Sequence, residues 1–320
     1  MSRDLESMRR FVSAVLQRAT TLEMRPPLEL VKRGHLGPLA YRLGIEELRD
    51  EYAASLVMAT RRARVIREVA AAFATRKLRA ALIKGSAYAG TIYADPAERP
   101  MQDVDLLVPR LQLADAMRCM LDLGFTRVGM ARKLSGYYHA IAFVRAGLMV
   151  ELHRNIVQVY RTDLRVGDLW RRAIEDDQGS GAWRLDPVDE LLVCAVHIAR
   201  HELAVPLVNY VDIARQWDAL AEDQRHVALE RARRYRIARA VDAVLAMTEL
   251  LREGVAGRPQ LNWAATILPS TDDMLVGARP SRLRQIGQKL FLVQGVRELA
   301  GLAYVYGSAF VQGELRTRQG

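Results

Sequence analysis

Apolar residues recur every three or four positions through the first 79 residues and again after residue 155, which is the spacing of amphipathic helices. In the first region, Met8, Phe11 and Val15 show this spacing, and a longer run extends from Ile45 to about Arg79. The pattern predicts an N-terminal helical region over residues 1–79 and a C-terminal helical region over residues 156–320.

Three features of these helical regions are predicted in more detail. Arg61, Arg62, Arg64 and Arg67 on the long helix form a basic run, for which a solvated face is the ordinary interpretation. A second long basic helix is predicted from Asp223 to Arg252, and a last helix from about Arg282 to Val311.

The block between the helical regions, residues 80–155, has another pattern. Short apolar runs bounded by Gly and Pro predict strands, and they alternate with amphipathic stretches. The predicted order is a strand at Ala81–Ile83, a helix from Ser86 to Tyr93 with Ser86 as its N-cap, a strand at Val104–Val108, a helix at Leu111–Leu123, and a hairpin of strands Tyr138–Arg145 and Leu148–His153. The fold class is therefore a small mixed α/β (α+β) core flanked by all-α regions.

Acidic residues occupy one face of two of these strands. Because alternate side chains along a strand share a face, Asp103 and Asp105 point the same way, and so do Glu151 and His153 on the later strand. Neighbouring carboxylates repel unless a cation lies between them, and Mg²⁺ bridging to a nucleoside triphosphate is the common solution. The three acids are thus candidate metal ligands.

The turn that precedes these acids suits a phosphate group. Gly85 lets the backbone approach phosphate closely, and Ser86 with the amides at the helix start offers hydrogen-bond donors. Lys84 and Arg99 can neutralise a triphosphate. Two alternatives stay open. Lys84 can instead lay its aliphatic chain along the surface at the strand end with its ammonium in water. Arg99 can pair with Asp103 or Asp105 and simply hold the loop.

The composition indicates the kind of partner and the cellular location. The formal net charge of +10 over 320 residues suits a phosphate-bearing partner, without choosing between nucleotide, nucleic acid and membrane. Two cysteines in helical patterns give no disulfide framework, and the N-terminus has no apolar signal segment, so a cytoplasmic location is expected. The apolar stretch Leu290–Phe310 contains Gln294, Arg297 and Glu298, which disfavours a membrane span.

The motifs of residues 82–153 resemble the DNA polymerase β-like nucleotidyltransferase superfamily, and most closely its uncharacterised nucleotidyltransferase family. The matching segments are Ile83-Lys84-Gly85-Ser86, Ile92-Tyr93, Arg99-Pro100-Met101, Asp103-Val104-Asp105-Leu106-Leu107-Val108 and Val150-Glu151-Leu152-His153. The separation of 17 residues between Ser86 and Asp103 leaves the path of residues 94–102 open.

The resemblance implies a minimal nucleotidyltransferase fold and transfer of a nucleoside monophosphate from an NTP, ATP being the first expectation, to a hydroxyl of a small molecule, a protein or an RNA. It implies Mg²⁺ or Mn²⁺ held by Asp103, Asp105 and Glu151, which are also the catalytic residues. It implies nucleotide contacts by Lys84, Gly85, Ser86, Arg99 and His153. Nucleic acid is a possible partner but not a favoured one, and no membrane is expected.

The sequence also allows a second function for the fold and a second candidate metal site. The same fold can serve as a non-catalytic module that binds a nucleotide or recruits a partner. His197 and His201, four residues apart on a predicted helix, have a spacing that can bind zinc if an acid such as Asp212 approaches. A structural pair is the better expectation, and the pair can also line the cleft that faces the nucleotide.

Overall fold

The computed structural model of the chain describes residues 2–128, 139–156, 162–176, 181–261, 266–296, 299–301 and 303–304. Its helices are α1 (Ser2–Leu16), α2 (Leu28–Arg33), α3 (Gly37–Arg42), α4 (Arg49–Thr75), α5 (Gly85–Tyr88), α6 (Leu113–Asp122), α7 (Val166–Arg172), α8 (Pro187–Arg200), α9 (Val208–Ala219), α10 (Glu222–Arg234), α11 (Ala238–Glu253), α12 (Thr271–Leu275) and α13 (Arg282–Leu292). Short 3₁₀ turns lie at Glu46–Leu48, Pro96–Glu98 and Arg110–Gln112.

The described strands form one mixed sheet in the order β3-β4-β5-β2-β1-β7-β6. They are β1 (Ala81–Leu82), β2 (Asp103–Leu107), β3 (Thr126–Arg127), β4 (Ala140–Arg145), β5 (Leu148–His153), β6 (Ile174–Glu175) and β7 (Trp183–Arg184). The central strand β2 runs parallel to β5 and antiparallel to β1. The mixed α/β class with flanking helical regions is confirmed.

The apolar face of the sheet forms part of the core. Val104 and Leu106 on β2 and Val150 and Leu152 on β5 are each at most 2% exposed. Burying side chains of this size stabilises the fold by roughly 1.5–3 kcal/mol each. Strand alternation then leaves the opposite face to Asp103, Asp105 and Glu151, as the sequence predicts.

The sheet is wider than the predicted core. The strands β6 and β7 come from the region predicted to be helical, and β7 pairs in parallel with β1. At two residues each, these strands are too short to show an alternating pattern, so their neighbours' helical spacing dominates the sequence signal. The boundaries at residues 79 and 155 remain predictions.

The helix predicted from Ser86 to Tyr93 is wrong in length and in its cap. Helix α5 covers only Gly85–Tyr88, and its N-cap position is Lys84, which has a positive φ of 54°. The hydroxyl of Ser86 is not a cap, because it accepts a hydrogen bond from β2 instead.

Two other helices are shorter than predicted. The stretch Asp223–Arg252 is divided into α10 and α11 at Tyr235–Ile237, where Arg236 has a φ of 55°. Helix α13 ends at Leu292, and the chain leaves helical structure at residues 293–295. Residues 296, 299–301 and 303–304 are helical again, and the rest of the predicted helix up to Val311 lies outside the described residues. Tyr138, the predicted start of the first hairpin strand, also lies outside them; β4 begins at Ala140.

The predicted hairpin is confirmed, and other local features follow directly from the sequence. Asp186 caps α8 by accepting hydrogen bonds from the amides of Val188 and Asp189, with Pro187 at the first helical position. The hairpin of β4 and β5 turns at Ala146-Gly147, where both residues have positive φ. Both cysteines are free and buried. Within the described residues, no helix is both long and apolar enough to cross a bilayer.

Candidate active site

The pairing of β2 with β5 sets two carboxylates side by side. Asp105 is the direct register partner of Glu151, and Asp103, two residues earlier on β2, shares their face. Asp105 is 6% exposed, whereas the Glu151 side chain is 29% exposed and Asp103 is half-buried. The cluster therefore has one deep acid and two that lie nearer to solvent.

Two basic side chains meet the deep acid. The ammonium of Lys84 donates to Asp105 Oδ1 at 2.8 Å, and Nε2 of His153 lies 2.6 Å from the same oxygen. His153 Nε2 is also 3.3 Å from Glu151 Oε2. Burial alone would raise the pKa of Asp105, but Lys84 and His153 overcome it and hold that pKa well below its usual range. Asp105 is thus ionised throughout the physiological range.

The Gly-Ser turn anchors this acid from the backbone side. The amide of Asp105 donates to Ser86 Oγ at 2.9 Å, and Ser86 is buried. A Cβ on Gly85 would lie 2.9 Å from the sulfur of Met101 and 3.3 Å from Arg99 Nη2. Glycine is therefore needed at residue 85 for close packing, in addition to any approach of phosphate.

Asp103 has the opposite electrostatic character. Burial, followed by repulsion from Asp105 and Glu151, raises its pKa to about 6. The pKa of Glu151 is lowered, chiefly by its hydrogen bond with His153. The face thus carries uncompensated negative charge at neutral pH, and a bound cation would relieve it.

The donor set suits a hard divalent ion. One ligand atom from each of Asp105, Glu151 and His153 lies within 4.8 Å of the others, with Asp103 beside them. Carboxylate oxygens are the ligands that Mg²⁺ and Mn²⁺ prefer. A histidine ligand ordinarily donates its second ring N–H to a partner, but His153 Nδ1 has none among the described residues. His153 thus fits as a buried donor that orients Asp105 and Glu151, while the carboxylates fit as ligands.

Neither alternative for Lys84 and Arg99 matches the structure. Lys84 does not extend along the surface, because its ammonium is fixed on Asp105 with a side chain 13% exposed. Arg99 does not pair with Asp103 or Asp105, and this interpretation is wrong. It forms a bidentate ion pair with Asp212 on α9, at 2.8 and 2.7 Å.

The Arg99–Asp212 pair links the core to the C-terminal helices. Asp212 is fully buried, and Tyr93 donates a further hydrogen bond to it at 2.8 Å. Burial opposes the charge on Arg99, but attraction to Asp212 outweighs it and raises the Arg99 pKa above its ordinary value. This contact fixes the path of residues 94–102 immediately before β2. The sequence alone suggests Asp212 only as an acid that could approach His197 and His201, because no local pattern links it to Arg99, 113 positions away.

The zinc interpretation of His197 and His201 is not supported among the described residues. Their rings pack against each other with centroids 4.8 Å apart, and Asp212 is taken up by Arg99. His197 nevertheless lies close enough to the carboxylate cluster to feel its charges. Burial, Lys84 and His201 hold the pKa of His197 well below its usual range, and Asp105 acts in the opposite direction. This favours the view that the end of α8 borders the carboxylate cluster.

Two residues near the site were missed or misassigned from sequence. The ring of His139 lies 5.4 Å from that of His153, and Arg200 Nη1 donates to His139 Nε2 at 2.6 Å. The hairpin register, which pairs Ala140 with His153, is the signal that could have found it. Arg62 was expected on the solvated face of α4 but is only 1% exposed. The side of α4 that carries Arg62 packs against the loop that leads to β2.

Comparison with known families agrees with this geometry. The model of the uncharacterised nucleotidyltransferase family matches residues 40–253, from α3 to the end of α11. A search among curated proteins returned no match. Because the family match spans about two thirds of the chain and includes Lys84, Asp103, Asp105 and Glu151, the protein belongs to the uncharacterised nucleotidyltransferase family.

Proposed function

We propose that the protein is a nucleotidyltransferase that moves a nucleoside monophosphate from an NTP to an acceptor hydroxyl and depends on Mg²⁺ or Mn²⁺. The observation that carries this proposal is the shared face of Asp103, Asp105 and Glu151 directly beside the Gly85-Ser86 turn. Membership of a nucleotidyltransferase family supports the reaction class, while the nucleotide and the acceptor stay open.

In the proposed reaction, the acceptor oxygen attacks the α-phosphorus in line with the bond to the β-phosphate. A new P–O bond forms, the bond between the α-phosphorus and its bridging oxygen breaks, and pyrophosphate leaves with the bonding electron pair. The hydroxyl proton passes to Glu151, whose side chain is 29% exposed and so is open to an acceptor.

The chain's own residues have distinct tasks in this scheme. Asp105 and Glu151, kept ionised by Lys84 and His153, hold the cation together with Asp103. When bound, the cation neutralises the triphosphate and stabilises charge on the leaving group. Lys84 and the amides that follow it face the β- and γ-phosphates, and Lys84 can exchange its contact with Asp105 for one with phosphate. Arg99 positions the loop before β2 rather than contacting the nucleotide.

Calorimetric titration of Mn²⁺, and then of ATP and CTP in Mn²⁺, tests the binding half of this proposal. The wild-type protein should bind both metal and nucleotide, and Asp105→Asn should bind neither. Asp122→Asn, an exposed acid on α6, removes the same charge away from the site and should behave like wild type. Equal metal binding by wild type and Asp105→Asn would contradict the proposed ligand set.

Turnover separates the enzyme from the non-catalytic module. Pyrophosphate release is measured across three acceptor classes: small hydroxyl compounds, peptides with Ser, Thr or Tyr, and RNA ends. Release that depends on one acceptor class supports transfer. Tight nucleotide binding without release in any class would favour the module. A nucleic-acid acceptor would also show affinity that falls steeply with salt concentration.

A further inference from the structure

A cavity lies between α4, α5 and the part of the sheet formed by β1 and β7. Its volume is about 390 Å³, within the range of pockets that hold small organic ligands. Leu82 lines it and is the register partner of Leu106, so it faces away from the side that carries Asp105. The cavity therefore lies against the opposite face of the sheet from the carboxylate cluster.

The lining of this cavity is apolar with a positive excess. Small and apolar side chains make most of the wall: Ala59, Ala63, Ile66, Leu82, Ala87 and Met101. Among the charged residues, Arg62, Arg67 and Arg184 outnumber Asp176. The charge of Arg184 is already balanced, because both oxygens of Glu190 lie 3.1 Å from its guanidinium. The excess thus comes from Arg62 and Arg67.

Arg62 is the unusual member of the lining. It is 1% exposed, and one of its N–H groups donates to the carbonyl of Met101. Its Nε and Nη2 have no hydrogen-bond partner, and the described part of the chain offers it no ion pair. A buried charge without a counter-ion is costly, so natural proteins seldom keep one without use.

The charge of Arg62 persists despite burial. Burial, and then repulsion from Arg99, lower the pKa of Arg62 to about 10, while Asp103 acts in the opposite direction. The guanidinium is therefore still protonated at neutral pH. Its planar fork of N–H groups matches the oxygens of a carboxylate or phosphate, which would supply the missing counter-charge.

We propose that this cavity binds a small organic anion, a carboxylate or phosphate carried on a compact apolar body, with Arg62 as its anchor. Ser86, beside the proposed nucleotide site, is part of the cavity wall, but Leu82 places the cavity against the opposite face of the sheet from Asp105. The proposal does not depend on the nucleotide site being active. The apolar wall receives the body of the ligand, and Arg67 at the exposed side of α4 adds favourable potential at the entrance.

Calorimetric titration of the full-length protein in EDTA tests this, with phenyl phosphate and benzoate as probes and phenol as the neutral control. The anions should bind and phenol should not, and the tighter of the two anions identifies the preferred oxyanion. Arg62→Met should weaken binding by about 10- to 100-fold, as expected for loss of charge-assisted hydrogen bonds. Arg64→Met, which removes an exposed charge two residues along the same helix, should leave binding unchanged.

Thermal unfolding of the same variants distinguishes an anchor from a structural residue. Because an unpaired buried charge is removed, Arg62→Met should unfold at the same temperature as wild type or higher. A marked fall would instead mean that Arg62 serves to hold the Met101 loop, and would overturn the proposal.

Two further measurements test whether the anion binds in this cavity. The first is the variant Ala63→Phe, which places an aromatic ring in the cavity from an exposed position of α4. The second is competition between the anion and ATP. This variant should lose anion binding while its unfolding temperature is retained, and saturating ATP with Mg²⁺ should not displace the anion from wild type. Absence of anion binding by wild type, full binding by Ala63→Phe, or displacement by ATP would each overturn the proposal.

Discussion

Asp103 offers the sharpest test of the electrostatics, because the substitution Asp103→Asn should make the metal-free protein more stable while it removes function. The fold raises the pKa of this carboxyl from 3.8 to about 6, chiefly by burial and then by Asp105 and Glu151. At roughly 1.4 kcal/mol per pKa unit, the ionised form costs up to about 3 kcal/mol of stability.

The sign of the pH dependence follows from linkage. The folded protein binds this proton more readily than the unfolded chain, so the contribution of Asp103 is most favourable below pH 3.8 and is lost as pH rises through about 6. The free energy of unfolding of Asp103→Asn should therefore exceed that of wild type at pH 8, and the difference should shrink steadily as pH falls to about 4.5.

Urea unfolding in EDTA between pH 4.5 and 8 measures this difference, and a repeat in Mn²⁺ gives the functional counterpart. Added Mn²⁺ should stabilise wild type by ligand linkage and should stabilise Asp103→Asn much less. A variant that is less stable than wild type at pH 8 in EDTA, or a difference that does not change with pH, would refute the reasoning.

Three other substitutions probe the surroundings of the site. Asp212→Asn should destabilise the fold by about 3–5 kcal/mol in chemical unfolding, because Arg99 would remain buried without its counter-charge; a loss below about 1 kcal/mol would count against this link. Gly85→Ala should lower the unfolding temperature and nucleotide affinity together, since the added methyl group meets Met101 and Arg99. Gly167→Ala in α7 is its matched control, because a Cβ there meets nothing within 4 Å, and the two variants behaving alike would contradict the packing argument.

The activity itself should respond to pH through the same carboxyl. Protonation of Asp103 competes with the cation, so metal-dependent turnover is expected to fall as pH drops below about 6. A profile measured at saturating nucleotide and limiting Mg²⁺ that stays flat from pH 7 to 5 would speak against a role for Asp103.

The part of the site that strand alternation determines could be predicted from sequence. The period of two puts Asp103, Asp105 and Glu151 on one face, and the hairpin turn at Ala146-Gly147 sets the register of the strand that carries Glu151. Local rules therefore sufficed for the strands that are long enough to show alternation, and they failed for the two-residue strands β6 and β7.

Contacts between distant segments could not be predicted in this way. Arg99 and Asp212 are separated by 113 positions, and nothing in the local pattern of either residue names the other. Arg62 was misassigned for the same reason: a basic run normally faces solvent, and only the packing of α4 on the loop before β2 buries one of its members. The cap at Ser86 failed because a tertiary partner, the amide of Asp105, took the hydroxyl that a helix start would otherwise use.

The fate of the phosphorus atoms of the NTP shows whether these carboxylates support nucleotidyl transfer. Wild-type protein is incubated with Mg²⁺, a responsive acceptor, and ATP labelled in parallel reactions at the α- or the γ-phosphate. The α-label should appear on the acceptor and the γ-label in pyrophosphate, and the folded double variant Asp103→Ala, Asp105→Ala should yield neither labelled product. Transfer of the γ-label to the acceptor, or undiminished α-label transfer by the double variant, would contradict nucleotidyl transfer by these carboxylates.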